Sequence, residues 1–400
     1  MPEATPSPEP SEPEPSAGAE APSSGRPPIR SFLGYFVGLG VWGFGGPIAT
    51  VGYMQRDLVE RRAWLDRDEF LDGVALGQTM PGPLAAQVAM WVGYLLNGAL
   101  GALAIAGAFI GPSFLFVLGV AIAYVRYQGL SVVQSLFYGI APAVMAIIAI
   151  AAYKLARLTD ANDVRLWVIS AVIGVITAVT GAEIALLFVA AGLVMILWDA
   201  PPRWLGRGGH GTASFVPVTA TLIHLAAGGG TLIALFVFFA KAGAFIFGSG
   251  LAIVPFLREG VVHQHHWLTE RQFLDAVAMG LITPGPVVIS ATFIGYLVGG
   301  LAGAVVATLG IFTPIYLGVV VPGRWFVRHR GNPQVKAFVK GATAAAAGAI
   351  AGATVVLTRQ AVVDYRTAVV GLVALGLLWK FKVKEPYIVA LGALAGLLLH

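Results

Sequence analysis

The chain states one long pattern twice, and that repetition constrains its fold more than any other feature. The first statement runs from Gly40 to Tyr94. It holds Phe44-Gly-Gly-Pro47, a charged segment with Trp64, Phe70-Leu-Asp72, Met80-Pro81-Gly82-Pro83 and Gly93-Tyr94. Shifted by 203 residues, Gly40, Phe44, Gly45, Trp64, Phe70, Leu71, Asp72, Gly77, Pro81, Gly82 and Pro83 fall on Gly243, Phe247, Gly248, Trp267, Phe273, Leu274, Asp275, Gly280, Pro284, Gly285 and Pro286. There are 17 identities across the 44 positions 40–83. At an offset of 202, Gly93, Tyr94, Gly98, Gly101 and Pro112 then meet Gly295, Tyr296, Gly300, Gly303 and Pro314. Shared apolar composition would match Leu, Val and Ala, but not Trp, Asp and a whole Pro-Gly-Pro. The chain is an internal duplication.

Each copy must fold in lipid. The sequence is 57% hydrophobic and only 11% charged, against about a quarter charged in soluble domains. Its charges sit in short clusters between long apolar runs, and runs of about 20 apolar residues read as membrane spans. The runs are continuous rather than alternating, which excludes a β-barrel. The fold class is therefore all-α, a polytopic helical membrane protein of two homologous repeats. The 51 glycines suit close helix packing in lipid. With no cysteine, thiol catalysis, disulfides and thiolate metal ligands are excluded.

Residues 1–30 hold nine Pro and five Glu, the composition of a disordered tail. The first transporter repeat is expected over 31–198, a linker over 199–214 and the second repeat over 215–400. Spans are expected near 100–125 and 131–156, with two short helices over 165–198 meeting near Thr180-Gly181. The second half repeats the plan, with spans near 301–322 and 337–357 and short ones near 367–379 and 386–399.

Lys and Arg placement bears on topology. If each Pro-Gly-Pro segment dips in and returns on one side, the basic loops divide seventeen to five. The richer face collects those of 56–67, 154–207, 324–340 and 380–384. The other holds Arg126, Arg258, Arg271, Arg359 and Arg366. If the segments cross fully, the split is thirteen to nine. Positive residues favour one face of a membrane, so the first arrangement is expected. In it, equivalent loops of the two halves face opposite sides, an inverted repeat.

Inverted repeats with broken helices are the recurrent build of secondary transporters, with the site at the repeat interface. Proline cannot continue a helix but fits its first position. Each Pro-Gly-Pro therefore ends one half-helix and starts another, leaving amides free on Leu84 to Gln87 and on Val287 to Ser290. A helix start favours an anion. The candidate substrate contacts are Gln78, Thr79, Pro81, Gly82, Pro83 and Gln87 in the first copy. In the second they are Thr283, Pro284, Gly285, Pro286 and Ser290. The alternative is that Pro-Gly-Pro only shapes a kink and these polar groups bond the backbone it frees. Gly45, Gly46, Gly248 and Ser249 could let backbone approach the ligand or another helix. Lys241, inside an apolar run, is either a substrate contact or a snorkelling side chain. Asp72, Asp275 and Glu183 are candidates for proton coupling or gating, against a reading as helix-end acids. His263, His265 and His266 have no counterparts in the first copy, and no metal site is expected. No nucleophile–His–acid set, phosphate-binding GxxxxGK[ST] loop or HExxH motif is present, so no enzyme is expected.

These residues carry a resemblance. Phe44-Gly-Gly-Pro47, Glu60-Arg-Arg-x-Trp64-Leu, Phe70-Leu-Asp72, Pro81-Gly-Pro83 and Gly93-Tyr94 are similar to the signature of the chromate ion transporter family. Lys241-x-Gly243, Phe247-Gly-Ser-Gly250 and Thr283-Pro-Gly-Pro286 resemble its C-terminal counterpart. The resemblance covers roughly residues 31–357. It departs at Gly46-Pro47-Ile48 against Ser249-Gly250-Leu251, and in the acidic tail. It implies a multi-pass protein of the bacterial plasma membrane that exports chromate, coupled to the proton-motive force, and confers chromate resistance. Sulfate or another tetrahedral oxyanion stays open as substrate. The implied partners are the oxyanion, protons and the bilayer, without nucleic acid or cofactor, and with a homodimer left open. An anion channel and a non-transporting membrane subunit are the alternatives of other classes.

Overall fold

A computed structural model of the chain describes residues 27–43, 46–127, 131–160, 163–180, 185–201, 230–246, 250–323, 325 and 332–399. The described part is helical, with no strand among the described residues. The first half contains α1 (Ile29–Trp42), α2 (Gly46–Met54), α3 (Arg67–Thr79), α4 (Leu84–Tyr127), α5 (Ser131–Asp160), α6 (Val164–Thr180) and α7 (Ala185–Asp199). The second contains α8 (Thr231–Ala244), α9 (Val254–Arg258), α10 (Glu270–Ile282), α11 (Ser290–Val320), α12 (Pro333–Ala361), α13 (Tyr365–Lys380) and α14 (Glu385–Leu399). The short helices expected over 165–198 are α6 and α7, and 181–184 between them lie outside the described residues. So do 1–26 and most of the expected linker.

Four helical stretches are long and apolar enough to cross a membrane: 84–127, 131–160, 287–320 and 333–361. The first is not one rod. A straight helix of its 44 residues would run about 66 Å, twice the thickness of a hydrocarbon core. It folds back at Asn97 and Gly98, where Gly98 takes φ +58°. The arms pack so closely that a Cβ on Gly93 would come 2.3 Å from the Gly101 carbonyl oxygen. The second half does the same at Gly299 and Gly300, with φ +59° at Gly300 and Gly295 against Gly303.

Caps are written in the sequence. Asn332 accepts from the Gln334 amide and precedes Pro333 at the first turn of α12, the arrangement that starts helices well. Thr269 with Gln272 and Asp364 with Thr367 form reciprocal capping boxes on α10 and α13, which satisfy amides that a helix start leaves open.

The centre of the molecule is α5 against α12. α12 presents Ala342, Ala344, Ala345, Ala346, Ala347 and Ala349, all essentially buried. The two helices are sequence equivalents, and they run antiparallel. Asp160, at the end of α5, shares the Ser170 hydroxyl with Ala344 O, short of the middle of α12. Tyr138, near the start of α5, bonds Asp364 just past the end of α12.

The terminal helices form two hairpins, and each packs on the other half. Arg165 at the start of α6 meets Asp199 at the end of α7 at 2.8 Å. Arg366 at the start of α13 donates to Leu399 O at the end of α14 at 2.6 Å. The α6–α7 hairpin lies on α12, and α13–α14 lies on α5. Small residues permit both contacts. A Cβ on Gly348 would meet Ser170 O at 2.2 Å, and one on Gly396 would meet Ser135 O at 2.1 Å. Close approach of this kind is how helices bind each other in lipid. Large apolar side chains such as Leu100, Leu103, Leu115, Val175 and Leu372 stay on the outer surface, where acyl chains surround a multi-pass membrane protein.

Candidate functional site

Both Pro-Gly-Pro segments break helices in the same way. α3 ends at Thr79, Met80 is extended and Gly82 takes φ +144°. α10 ends at Ile282, Thr283 is extended and Gly285 takes φ +108°. L side chains rarely adopt such angles, and glycine does so without a Cβ clash. After the first break the chain reverses. The Trp91 indole donates back to Glu69 O at 2.9 Å, and Gly73 packs on the Trp91 ring. α3 and the first arm of α4 are therefore antiparallel, with Pro81-Gly82-Pro83 at the tip.

The polar neighbours serve this backbone. Gln87 is fully buried, and its Nε2 donates to Met80 O at 3.2 Å and Pro81 O at 3.0 Å. Its buried Oε1 has no hydrogen-bond partner among the described residues. The Thr79 and Thr283 hydroxyls each donate one turn back, to Ala75 O and Met279 O, at 2.6 Å. Ser290 is buried beside Gly280, while Gln78 is exposed.

The expected free amides shrink from four to two at each break. Ala86 and Gln87 N–H already donate to Pro83 O, at 3.0 and 3.1 Å. Ile289 N–H donates to Pro286 O, and Ser290 N–H to Val287 O. The turn tightens toward 3₁₀ geometry at its start and consumes them. Leu84 and Ala85, and Val287 and Val288, carry the amides that the helix start does not use.

The two breaks meet crosswise. Gly82 N–H donates at 2.6 Å to Ile246 O, just past α8 in the other half. The fully buried Ser113 on α4 donates at 2.5 Å to Pro284 O, with Gly40 O at 3.5 Å. A Cβ on Gly82 would come 3.0 Å from Ile315, and one on Gly285 would come 2.4 Å from Ser113 Oγ. Ser113 and Ile315 are equivalents, each following the proline of its long helix, Pro112 or Pro314. Each break thus abuts the residue after that proline in the opposite half. Gly40 and Gly243 bring α1 and α8 onto the same proline turns. Cβ atoms there would meet Phe109 O and Ile311 O at 2.4 and 2.2 Å. Gly250 packs against Val287 and Val288, so the end of the Phe-Gly-Ser-Gly stretch lies at the second helix start.

Other candidates separate from this centre. Lys241 is half-buried on α8, one turn past Phe238, whose ring meets His265 and Trp267 of the polar segment. Gly46 begins α2, and Gly45, Gly248, Ser249 and Glu183 lie outside the described residues. Asp275 is 3% exposed and accepts from the Tyr124 hydroxyl of the first half at 2.7 Å. Asp72, its equivalent on α3, is half-buried. Among the described residues no group of His, Asp and Glu is arranged to hold a metal.

Sequence reasoning missed Ser113, Tyr124 and Ile246. Ser113 had a usable signal, since it follows the aligned Pro112. Tyr124 lies beyond the aligned positions and had none.

The profile of the family described as chromate transporter matches residues 31–197 and 233–397. The chain is 50% identical over 374 residues to the chromate transport protein of Cupriavidus metallidurans, covering 93% of each chain. It is 46% identical to the "Probable chromate transport protein" of Synechococcus elongatus, covering 92% of this chain and 95% of the relative. To the chromate transport protein of Pseudomonas aeruginosa it is 28% identical over 96% of each. No solved structure matches the chain.

Proposed function

The chain belongs to the chromate transporter family, and from that premise we propose that it exports chromate across the bacterial plasma membrane, driven by the proton-motive force. One observation carries the reading: two equivalent helix breaks meet crosswise, each held by the opposite half through Ile246 and Ser113. Chromate is a tetrahedral dianion. Two helix starts with unused amides, at Leu84–Ala85 and Val287–Val288, supply positive dipole ends from two directions.

Inverted topology is part of the proposal. The antiparallel run of the equivalent helices α5 and α12 supports it, as does the seventeen-to-five division of basic residues. In such a build, alternating access comes from one repeat rocking against the other around a fixed site. Gln78, Gln87, Thr283 and Ser290, with the residues of the two Pro-Gly-Pro segments, line the path of the ion. Asp275 carries the coupling proton at a contact between the halves, with Asp72 as its counterpart. One chain supplies both breaks, so each subunit of a homodimer would transport independently.

The test is labelled chromate uptake into proteoliposomes of purified protein, with a pH gradient imposed and then collapsed, and with excess sulfate as competitor. Saturable uptake that needs the gradient is expected. Unsaturable uptake that follows only the anion's own gradient would make the protein a channel. Competition by the excess sulfate would widen the substrate to tetrahedral oxyanions.

A further inference from the structure

Each half keeps the same ring slot at its polar segment. In the first, the Arg62 guanidinium lies 4.6 Å over the Trp64 ring and 5.5 Å over Tyr35. In the second, His265 stacks on Trp267 at 4.2 Å with planes 9° apart, and Phe238 stands edge-on at 5.7 Å. The offset of 203 maps Tyr35, Arg62 and Trp64 onto Phe238, His265 and Trp267. The backbone is kept too. Ala63 and His266 both take left-handed angles, φ 49° and 52°. Trp64 and Trp267 N–H donate to the equivalent Leu58 O and Val261 O, both at 2.8 Å. A permanent cation in one half is thus replaced by a titratable one in the other.

The second slot has a further charge. Lys241 lies one turn past Phe238 on α8, on the face that helical spacing gives to i and i+3, where the first copy has Gly38. It has no ion-pair partner among the described residues. The carboxylates Glu259 and Glu270 of the same polar segment are committed elsewhere. Glu270 takes Arg258 at 2.5 and 3.0 Å, with His263 at 3.4 Å, and Glu259 accepts from Gln264 at 3.3 Å. His266 occupies the exposed left-handed turn beside them. Desolvation by the flanking rings, and after it the Lys241 ammonium, push the imidazole of the exposed His265 below its ordinary value. The ammonium and the imidazole thus flank one ring, Phe238, without a counter-charge, and a bound dianion would pair with the first and favour protonation of the second.

We propose that Lys241 and His265 form an oxyanion docking site at the surface of the second half, separate from the helix breaks. A tetrahedral dianion pairs there with the ammonium and the imidazolium at the outer mouth of the path. The proposal deepens the transporter reading and rests on it. Binding of the dianion favours the charged imidazole, so docking strengthens as the pH falls through the His265 transition. Arg62 in the first half gives its slot no such dependence.

The experiment is equilibrium binding of radiolabelled chromate and radiolabelled sulfate to the purified full-length protein, with chromate transport kinetics in the same preparations. It is run at about pH 5.5 and about pH 7.5, on either side of the ordinary imidazole value. Variant-to-wild-type ratios at each pH cancel the protonation of chromate itself. Lys241→Gln is expected to weaken binding and raise KM about tenfold at both pH values, the scale of one charge-assisted contact, with kcat kept. His265→Gln should raise KM several-fold at the lower pH only. His265→Arg copies the cation of the first half, so it should bind well at both pH values. Unchanged KM in Lys241→Gln would overturn the proposal, as would no gain in binding over wild type for His265→Arg at the higher pH, or kcat falling in parallel with binding. A wild type that binds these anions with the expected variant pattern but does not transport them would remove the transporter reading and leave the docking site standing. A wild type that binds neither anion would overturn both.

Discussion

The Tyr124 hydroxyl donates to Asp275 Oδ2 at 2.7 Å, joining α4 of the first half to α10 of the second. The carboxyl is buried and the ring is walled by Phe137 and Phe293. The bond therefore crosses a surface along which the halves must slide if they alternate, and it ends on a group that can carry a proton. Asp275→Asn keeps the shape and removes the titration. Chromate uptake by this variant should lose its dependence on the pH gradient while its melting temperature stays within a few degrees of wild type. Tyr124→Phe should keep gradient dependence and lower stability by about 1–3 kcal/mol, the cost of an unmet buried acceptor. Gradient-driven uptake unchanged in Asp275→Asn would exclude this carboxyl from coupling.

Gly82 and Gly285 both need angles closed to a Cβ, and both lie against the other half. Gly285→Ala would put its methyl 2.4 Å from Ser113 Oγ, and Gly82→Ala would meet Gln87 Nε2 at 2.8 Å. Strain of this kind costs about 1–3 kcal/mol. Each variant should bind chromate at least tenfold more weakly, since a displaced break moves the amides of the helix start. Calorimetric binding with wild-type affinity in both would show that the breaks do not form the site.

Ser113→Ala tests the cross-tie with little change in volume. It leaves Pro284 O without its donor, so transport should fall several-fold and thermal stability by about 1–3 kcal/mol. Ser113→Thr, which keeps a hydroxyl, should recover most of the activity if the pocket admits its methyl. Full activity in Ser113→Ala would make the bond incidental.

Much of this arrangement was legible in the sequence, and the reason is chemical. Trp64, Asp72 and Pro81-Gly-Pro83 are residues that apolar drift does not reproduce, so their recurrence at 267, 275 and 284–286 exposed the duplication and both breaks. The cross-tie was harder to see, because the equivalent of Ser113 is the apolar Ile315. The hairpin exchange had no signal. Gly348 and Gly396 make it possible, but small residues fit any helix crossing in lipid. Lys241 was read by depth alone. Sequence gives depth along a helix, while its neighbours Phe238 and His265 decide which face it serves.

Gly352 tests the exchange of hairpins directly. A Cβ there would meet Gly174 O at 2.4 Å, whereas Gly376 on α13 has open space. Gly352→Leu should therefore push α6 from α12 and destabilise the fold by about 1–3 kcal/mol or more, as overpacking does. Gly376→Leu should be close to neutral. Equal melting temperatures for the two would mean that α6 does not pack on α12.

Inverted topology makes a prediction that the chain itself suits, since it has no cysteine to remove. Arg61 and Gln264 close the wide helical turns Gln55–Arg61 and Glu259–Gln264, which occupy the same place in the two halves. Both are exposed. If α5 and α12 run antiparallel because the repeats are inverted in the membrane, the turns face opposite sides. Arg61→Cys and Gln264→Cys, made singly and treated in intact cells with a membrane-impermeant thiol reagent, should then differ: Gln264→Cys labels from outside, and Arg61→Cys only after lysis. That assignment follows from the excess of Lys and Arg on the Arg61 face. Labelling of both from the same side would mean parallel repeats. The two helix starts would then approach the ion from one side, and alternating access by exchange of equivalent halves would have no structural basis.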